Sequence, residues 1–349
     1  MALQFQLPLY EPELVDLAGD ALIDYADAVE HFERIGLDYR DVITNWRLSH
    51  AYPLNTFQMT LRNRSKTMPN AVVAQRIKRP DSIESKLRRY DDLKLSAIQD
   101  IGGCRAIVSS VAQVYELVRR YQRKYSLHIL DDEDDYINEP KADGYRSYHL
   151  IVRYSDPKHP KYENLKIEMQ LRSPLQHAWA TAVETVDMFL GEGLKSHRGS
   201  PEWRRFFALM GSSIAVREGT HRVPRTPGDD GELTRELRQL AQHLDVFNRL
   251  EAYRRTLSIA KDIRRRYDIK WVVLVFTPGM DASKLQLYGY KAGQLDSATE
   301  QLEALERYKA KGTDALLVSV AGAANLANAY RNYFLDTQQF LEALRQALS

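Results

Sequence analysis

Residues 165–172 read Leu-Lys-Ile-Glu-Met-Gln-Leu-Arg. Successive side chains of a strand point to opposite faces, so Leu165, Ile167, Met169 and Leu171 share one face and Lys166, Glu168, Gln170 and Arg172 the other. A strand buried on one side needs only a bland polar outer face. Here that face carries a base, an acid, an amide and a guanidinium in a row, as a phosphate and metal site would need. Ahead of it, Gly144-Tyr145-Arg146-Ser147-Tyr148-His149 leads a glycine turn with an aromatic and a basic residue into another strand.

Other residues have matching chemistry. Arg76 and Lys78 lie two apart on an expected strand and so point to one face. Ser82 and Lys86 lie four apart on the following helix and share a face. A helix N-terminus favours phosphate through its N–H groups and dipole. The four residues therefore read as a triphosphate cradle, or else as the solvated basic surface that Lys86-Leu87-Arg88-Arg89 would also give. Asp100, ahead of Gly102-Gly103, and Glu168 in mid-strand suit one Mg²⁺, which takes a few carboxylates plus substrate oxygens. Asp100 alone also reads as a turn or cap residue. Tyr145 either stacks on a base or folds back onto its domain. His149 either contacts phosphate or ribose or is structural. His177 and Trp179 either close an acceptor pocket or pack in the core.

A chain of 349 residues accommodates one large domain and a smaller one. Its 44% hydrophobic and 28% charged content fits a globular protein. The net charge of +2 excludes a bulk basic field, so any nucleic-acid contact must come from local patches. Arg62, Arg64 and Lys66 form one such patch, and Arg119-Arg120 with Arg123-Lys124 another; each equally reads as a solvated helix face. The single cysteine, Cys104, excludes an internal disulfide framework and a cysteine-based zinc site, and its apolar surroundings mark a buried, inert thiol. No apolar window of about 18 residues indicates a membrane span. Glu11, Glu13 and Asp16 without a basic leader argue against a signal peptide, so a cytoplasmic location is expected.

The elements that must position these residues follow from periodicity. Helices are expected over 11–36, 53–66, 111–125, 174–190 and 201–217, and strands over 71–78, 101–109, 148–154 and 165–172. Pro80-Asp81-Ser82 opens a further helix, with Asp81 as N-cap and Glu84 completing a capping box. The acidic run Asp131 to Asp135 is expected in a loop. Residues 219–230 suggest a linker, followed by one long helix with a stripe from Leu233 to Leu250. Strands at 271–276, 284–290 and 315–320, with helices at 297–310 and 324–348 (the last broken near Asp336), complete a small α+β domain. The expected fold class is α+β, a mixed sheet flanked by helices, plus this small C-terminal α+β domain.

Taken together, Arg76-Ile77-Lys78, Ser82-Ile83-Glu84-Ser85-Lys86, Asp100-Ile101-Gly102-Gly103-Cys104-Arg105, Gly144 to His149 and Glu168 to Arg172 resemble the RelA/SpoT nucleotidyltransferase (alarmone synthetase) family, in the family's order. The resemblance covers roughly residues 40–215 and is nearer the small synthetases; the chain has no His-Asp dipeptide, so the family's hydrolase domain is not expected. It implies a nucleotidyltransferase-like fold and transfer of the β,γ-diphosphate of ATP to a ribose 3′-hydroxyl. Arg76 and Arg105 would sandwich the adenine. Lys78, Ser82 and Lys86 would hold the phosphates. Asp100 and Glu168 would bind Mg²⁺, with Glu168 helping to deprotonate the attacking hydroxyl. Tyr145 would stack on the acceptor base and His149 would sit near it. Asp143 departs from the Asn often found in the family, which disfavours a phosphate-bearing guanine nucleotide.

The C-terminal stretch Tyr330-Arg331-Asn332-Tyr333-Phe334-Leu335-Asp336-Thr337 is similar to the CapRel-type fused toxin–antitoxin proteins. That resemblance implies a toxic domain over 1–225, a linking helix over 226–265 and a regulatory domain over 266–349. Tyr330 and Tyr333 would cover the ATP site until a phage protein such as the major capsid protein releases them. The acceptor would be the 3′-CCA end of tRNA, so that translation stops; no DNA or membrane is implied as a partner. An ordinary alarmone synthetase acting on GDP or GTP is the alternative, and an inactive RNA-binding module on the same fold a third reading. Core packing is the competing role for Tyr330, Tyr333 and Phe334.

Overall fold

A computed structural model describes residues 5–123, 127–190, 199–254, 269–277, 284–308, 314–319 and 333–349. The chain divides by its contacts into two units, residues 1–136 with 147–173, and residues 137–146 with 174–349.

The first unit opens with helices α1 (Pro12–Leu22), α2 (Ala26–Ile35), α3 (Tyr39–Ser49) and α4 (Ala51–Ser65). Then follow β1 (Val72–Ile77), α5 (Pro80–Leu87), β2 (Gly102–Ile107), α6 (Val111–Gln122), β3 (Ile129–Asp135), β4 (Tyr148–Arg153) and β5 (Lys166–Arg172). The strands form one sheet in the order β1-β2-β5-β4-β3. Its β2–β5 pair is parallel and the others antiparallel, so the sheet is mixed. Helices α4 and α6 pack on the face that carries Cys104, Ala106, Ile167, Met169 and Leu171. On that face the approach of Ile167 is so close that a Cβ on Gly102 would lie 2.5 Å from its Cδ1. The opposite face carries the polar set of β5.

Several elements differ from expectation for local reasons. The helix expected over 11–36 is two, because Asp24 turns left-handed at φ 67° between α1 and α2. Helix α5 is capped at Arg79 and not at Asp81, since Pro80 occupies the first helical position, where its fixed φ fits and its missing N–H costs nothing. The acidic run is strand β3 and not a loop. As an edge strand it tolerates charge, and its carboxylates have partners: Asp131 meets Arg153 at 3.1 Å and Lys166 at 2.8 Å, and Asp135 accepts from the Tyr115 hydroxyl.

The second unit contains α7 (Pro174–Leu190), α8 (Pro201–Glu218), α9 (Asp230–His243), a helical stretch over 246–254, α10 (Leu295–Tyr308) and α11 (Tyr333–Leu348). Strands β6 (Trp271–Thr277), β7 (Lys284–Tyr290) and β8 (Asp314–Ser319) form an antiparallel sheet in the order β7-β6-β8. The helix expected to run on from Leu233 breaks at Asp245, whose φ is 48°. Trp179, Phe189, Phe206, Phe207, Leu237, Phe340 and Leu344 share one core, so α7, α8, α9 and α11 are packed together. The 219–229 connection packs onto α8: Val223 is buried and its N–H donates to the Ser212 hydroxyl at 2.8 Å. Among the described residues no helix is long and apolar enough to cross a membrane.

Candidate active site

Lys78 leaves β1 with its backbone held on both sides. Its N–H donates to the Ile101 carbonyl at 2.8 Å, and its carbonyl accepts from Arg47 Nε at 2.8 Å. This continues the β1–β2 ladder past the Ile77–Gly102 pair and sets Lys78 beside Asp100. Lys78 Nζ lies 2.5 Å from Asp100 Oδ2, and Lys86 Nζ, one α5 turn beyond Ser82, lies 2.9 Å from Oδ1. Burial by itself would raise the Asp100 carboxyl; the charges and hydrogen bonds of both lysines outweigh it and bring the pKa down to about 2. Lys78 fares differently. Burial lowers its pKa, Asp100 pulls it back up, and Lys86 and Arg76 push it down again.

Glu168 is the second carboxylate. Its Oε1 lies 3.0 Å from His149 Nδ1, and its Oε2 accepts from Gln170 Nε2 at 2.8 Å. Burial raises its pKa, but the hydrogen bond and charge of His149 hold it below the ordinary range, with Asp100 pushing it up and the Gln170 amide, the smallest contribution, pulling it down. Strand register aligns Arg76, Gly103, Glu168 and Ile151 in one row, and Ala74, Arg105, Gln170, His149 and Asp134 in the next, two residues on and therefore on the same face.

The structure thus brings Lys78, Lys86 and Asp100 into one cluster and His149 and Glu168 into another, with Arg76 and Arg105 on the same sheet face as Glu168. Ser82 is exposed in the first turn of α5, where no side-chain cap bond is made. Tyr145 belongs to the second unit. Its half-buried ring lies 6.3 Å from that of Trp179, with Lys141 Nζ 5.6 Å from its centroid. Asp143 Oδ1 accepts the Tyr145 N–H at 2.9 Å, a turn contact that an asparagine would also make. His177 and Trp179 are buried in the second unit, with His177 Nε2 3.2 Å from Asp336 Oδ2 and Trp179 Nε1 donating to the Phe207 carbonyl at 2.9 Å. Tyr330 lies outside the described residues, as does the side chain of Tyr333. Cys104 is buried and its thiol is pushed up to about 12. In the basic patches, Arg64 and Arg120 each donate to the other's backbone carbonyl, so these two hold α4 and α6 together.

Among the described residues no group of three or more His, Cys, Asp or Glu gathers around a metal position. Two carboxylates ionised at neutral pH are nevertheless what Mg²⁺ takes from protein when phosphate oxygens supply the rest. Asp100 and Glu168 are thus candidate ligands for a Mg²⁺ that phosphate oxygens also hold.

Residues 75–186 match the family described as "Region found in RelA / SpoT proteins". That span holds every candidate site residue named above from Arg76 to Glu168, and not Tyr330 or Tyr333. Over 112 residues the chain is 34% identical to the GTP pyrophosphokinase YwaC of Bacillus subtilis (strain 168), which covers 30% of this chain and 52% of that protein. It is 27% identical over 160 residues to the GTP pyrophosphokinase YjbM of the same organism, covering 45% of this chain and 74% of that one. The chain spans about half the length of the first of these relatives. The crystal structure of small alarmone synthethase 2 from Bacillus subtilis aligns with a TM-score of 0.42 at 22% identity, over 50% of this chain and 94% of that chain. Residues 75–186 are thus similar to the RelA/SpoT region, and the chain is similar over part of its length to two GTP pyrophosphokinases of Bacillus subtilis.

Proposed function

We propose that the chain is a pyrophosphokinase that moves the β,γ-diphosphate of ATP to a ribose 3′-hydroxyl. The observation that carries this reading is the Lys78–Asp100–Lys86 cluster in the same unit as a Glu168 held ionised by His149 and Gln170. Diphosphoryl transfer needs charge neutralisation and in-line placement more than covalent help. Lys78, Lys86 and Ser82 neutralise and orient the phosphates, and Arg76 and Arg105 hold the adenine. Mg²⁺, held by Asp100 and Glu168, would supply further charge on the phosphate oxygens. The acceptor oxygen attacks the β-phosphorus, the bond from that phosphorus to the α-phosphate oxygen breaks, and AMP leaves. Glu168 takes the hydroxyl proton, and Tyr145 and His149 hold the acceptor.

The acceptor in this reading is the 3′-CCA end of tRNA. The chain then stops translation in the cytoplasm as a phage-defence toxin. Residues 1–225 form the synthetase, 226–265 link, and 266–349 restrain it through Tyr330 and Tyr333 until a phage capsid protein intervenes. A second reading, with GDP or GTP as acceptor, is favoured by the names of the two Bacillus subtilis relatives. Incubation of the full chain, with and without purified phage capsid protein, with γ-³²P-ATP, Mg²⁺ and either bulk tRNA or GDP separates them. Label on tRNA supports the first reading, and label on GDP alone establishes the second.

A further inference from the structure

Arg172 stands on the polar face of β5, yet it is only 5% exposed. A buried guanidinium is costly, and an apolar residue of similar volume would serve stability as well or better. One line of its hydrogen bonds runs along the strand. Arg172 Nη2 donates to Gln170 Oε1 at 2.8 Å, and Gln170 Nε2 donates to Glu168 Oε2 at 2.8 Å. Arg172 Nε reaches the Ser147 hydroxyl at 3.4 Å, and that hydroxyl donates to the Leu171 carbonyl at 3.3 Å.

We propose that Arg172 is a positioning residue that acts through Gln170 to fix the Glu168 carboxylate, an inference that rests on the role given to Glu168 above. Donor and acceptor chemistry imposes the direction. A guanidinium has only donors, so the amide oxygen of Gln170 must face it. The amide nitrogen must then face Glu168, which as a carboxylate only accepts. The reversed amide would set oxygen against oxygen at one end and donor against donor at the other. Arg172 therefore determines which atom Gln170 presents to Glu168. With His149 on the other carboxylate oxygen, Glu168 is held from two sides. A group held from two sides loses little freedom when it receives a proton from the acceptor hydroxyl.

The test uses the full chain and two readouts. In ¹⁵N NMR, the Gln170 side-chain amide, assigned by its absence in Gln170→Met, should shift in both Glu168→Ala and Arg172→Met. A shift in the first variant with none in a folded Arg172→Met overturns the proposal. In the γ-³²P-ATP assay, with whichever acceptor the wild type labels, Gln170→Met and Arg172→Met should each lower kcat about tenfold with KM for ATP within about twofold. The double variant should be no worse than Gln170→Met, because the two act in series. Arg172→Lys, which keeps one donor toward Gln170, should recover most of kcat. Multiplying losses, or an unchanged kcat in Gln170→Met, overturns the proposal, and the second outcome decides the matter even where Arg172→Met does not fold. A wild type that labels neither acceptor, with or without added phage capsid protein, refutes the proposed function and leaves the amide test standing.

Discussion

Asp100 lies between two ammonium groups, and this arrangement sets its pH behaviour. Its pKa falls from an ordinary 3.8 to about 2 on folding, so the ionised carboxylate stabilises the fold above pH 4. That contribution is lost as pH drops toward 2. Urea denaturation of wild type and Asp100→Asn should therefore differ near neutrality and converge between pH 4 and pH 2. At pH 7 the variant should be less stable by about 1–3 kcal/mol, since Lys78 and Lys86 then face each other without the carboxylate. The gain is not symmetric within the cluster, because burial works against Lys78 even with Asp100 beside it. Phosphate oxygens would take the place of the Asp100 contacts for both lysines, so inorganic triphosphate should narrow the stability gap.

At the scale of elements, the Gly144 turn that precedes β4 has a fixed demand. Its φ is +100°, and a Cβ there would lie 2.6 Å from the Phe207 carbonyl oxygen and 2.9 Å from the Trp179 ring. Gly144→Ala should cost about 2–4 kcal/mol in urea denaturation. This glycine was legible from its setting, and so was β5, whose apolar alternation matches its buried Ile167, Met169 and Leu171. β3 was not legible, because acid-rich segments read as loops unless the partners of the acids are known. Arg153, Lys166 and Tyr115 become partners only once the sheet forms. The site divides in the same way. The types of Lys78, Lys86, Asp100 and Glu168 were visible, but the lysines reach Asp100 across 22 and 14 residues, distances that carry no pattern. Arg47, which holds the Lys78 carbonyl, left no signal in the sequence. Arg172 was visible as polar on the outer face, but its burial and its direction toward Gln170 needed the register.

At the scale of the whole molecule, the second unit changes how restraint by the C-terminal region can be tested. Phe340 and Leu344 of α11 and Leu237 of α9 share a core with Trp179 and Phe206. A truncation near residue 228 would uncover that core, so loss of function in such a chain would report misfolding as readily as regulation. Adding purified phage capsid protein to the full chain is the cleaner experiment. Transfer to tRNA should rise several-fold if residues 266–349 restrain the synthetase, and an unchanged rate with active enzyme contradicts restraint released by that partner. What sets the proposed reaction apart from an ordinary kinase is that it moves a diphosphate and not a single phosphate. The most direct measurement follows adenine nucleotides and phosphorus together, by chromatography and ³¹P NMR, in the full chain with ATP, Mg²⁺ and either tRNA or GDP, with and without phage capsid protein. Acceptor-dependent AMP, with both β- and γ-phosphorus on the acceptor and neither product in Asp100→Asn, is the predicted result. ADP with one phosphorus transferred, or AMP formed equally without acceptor, would contradict it.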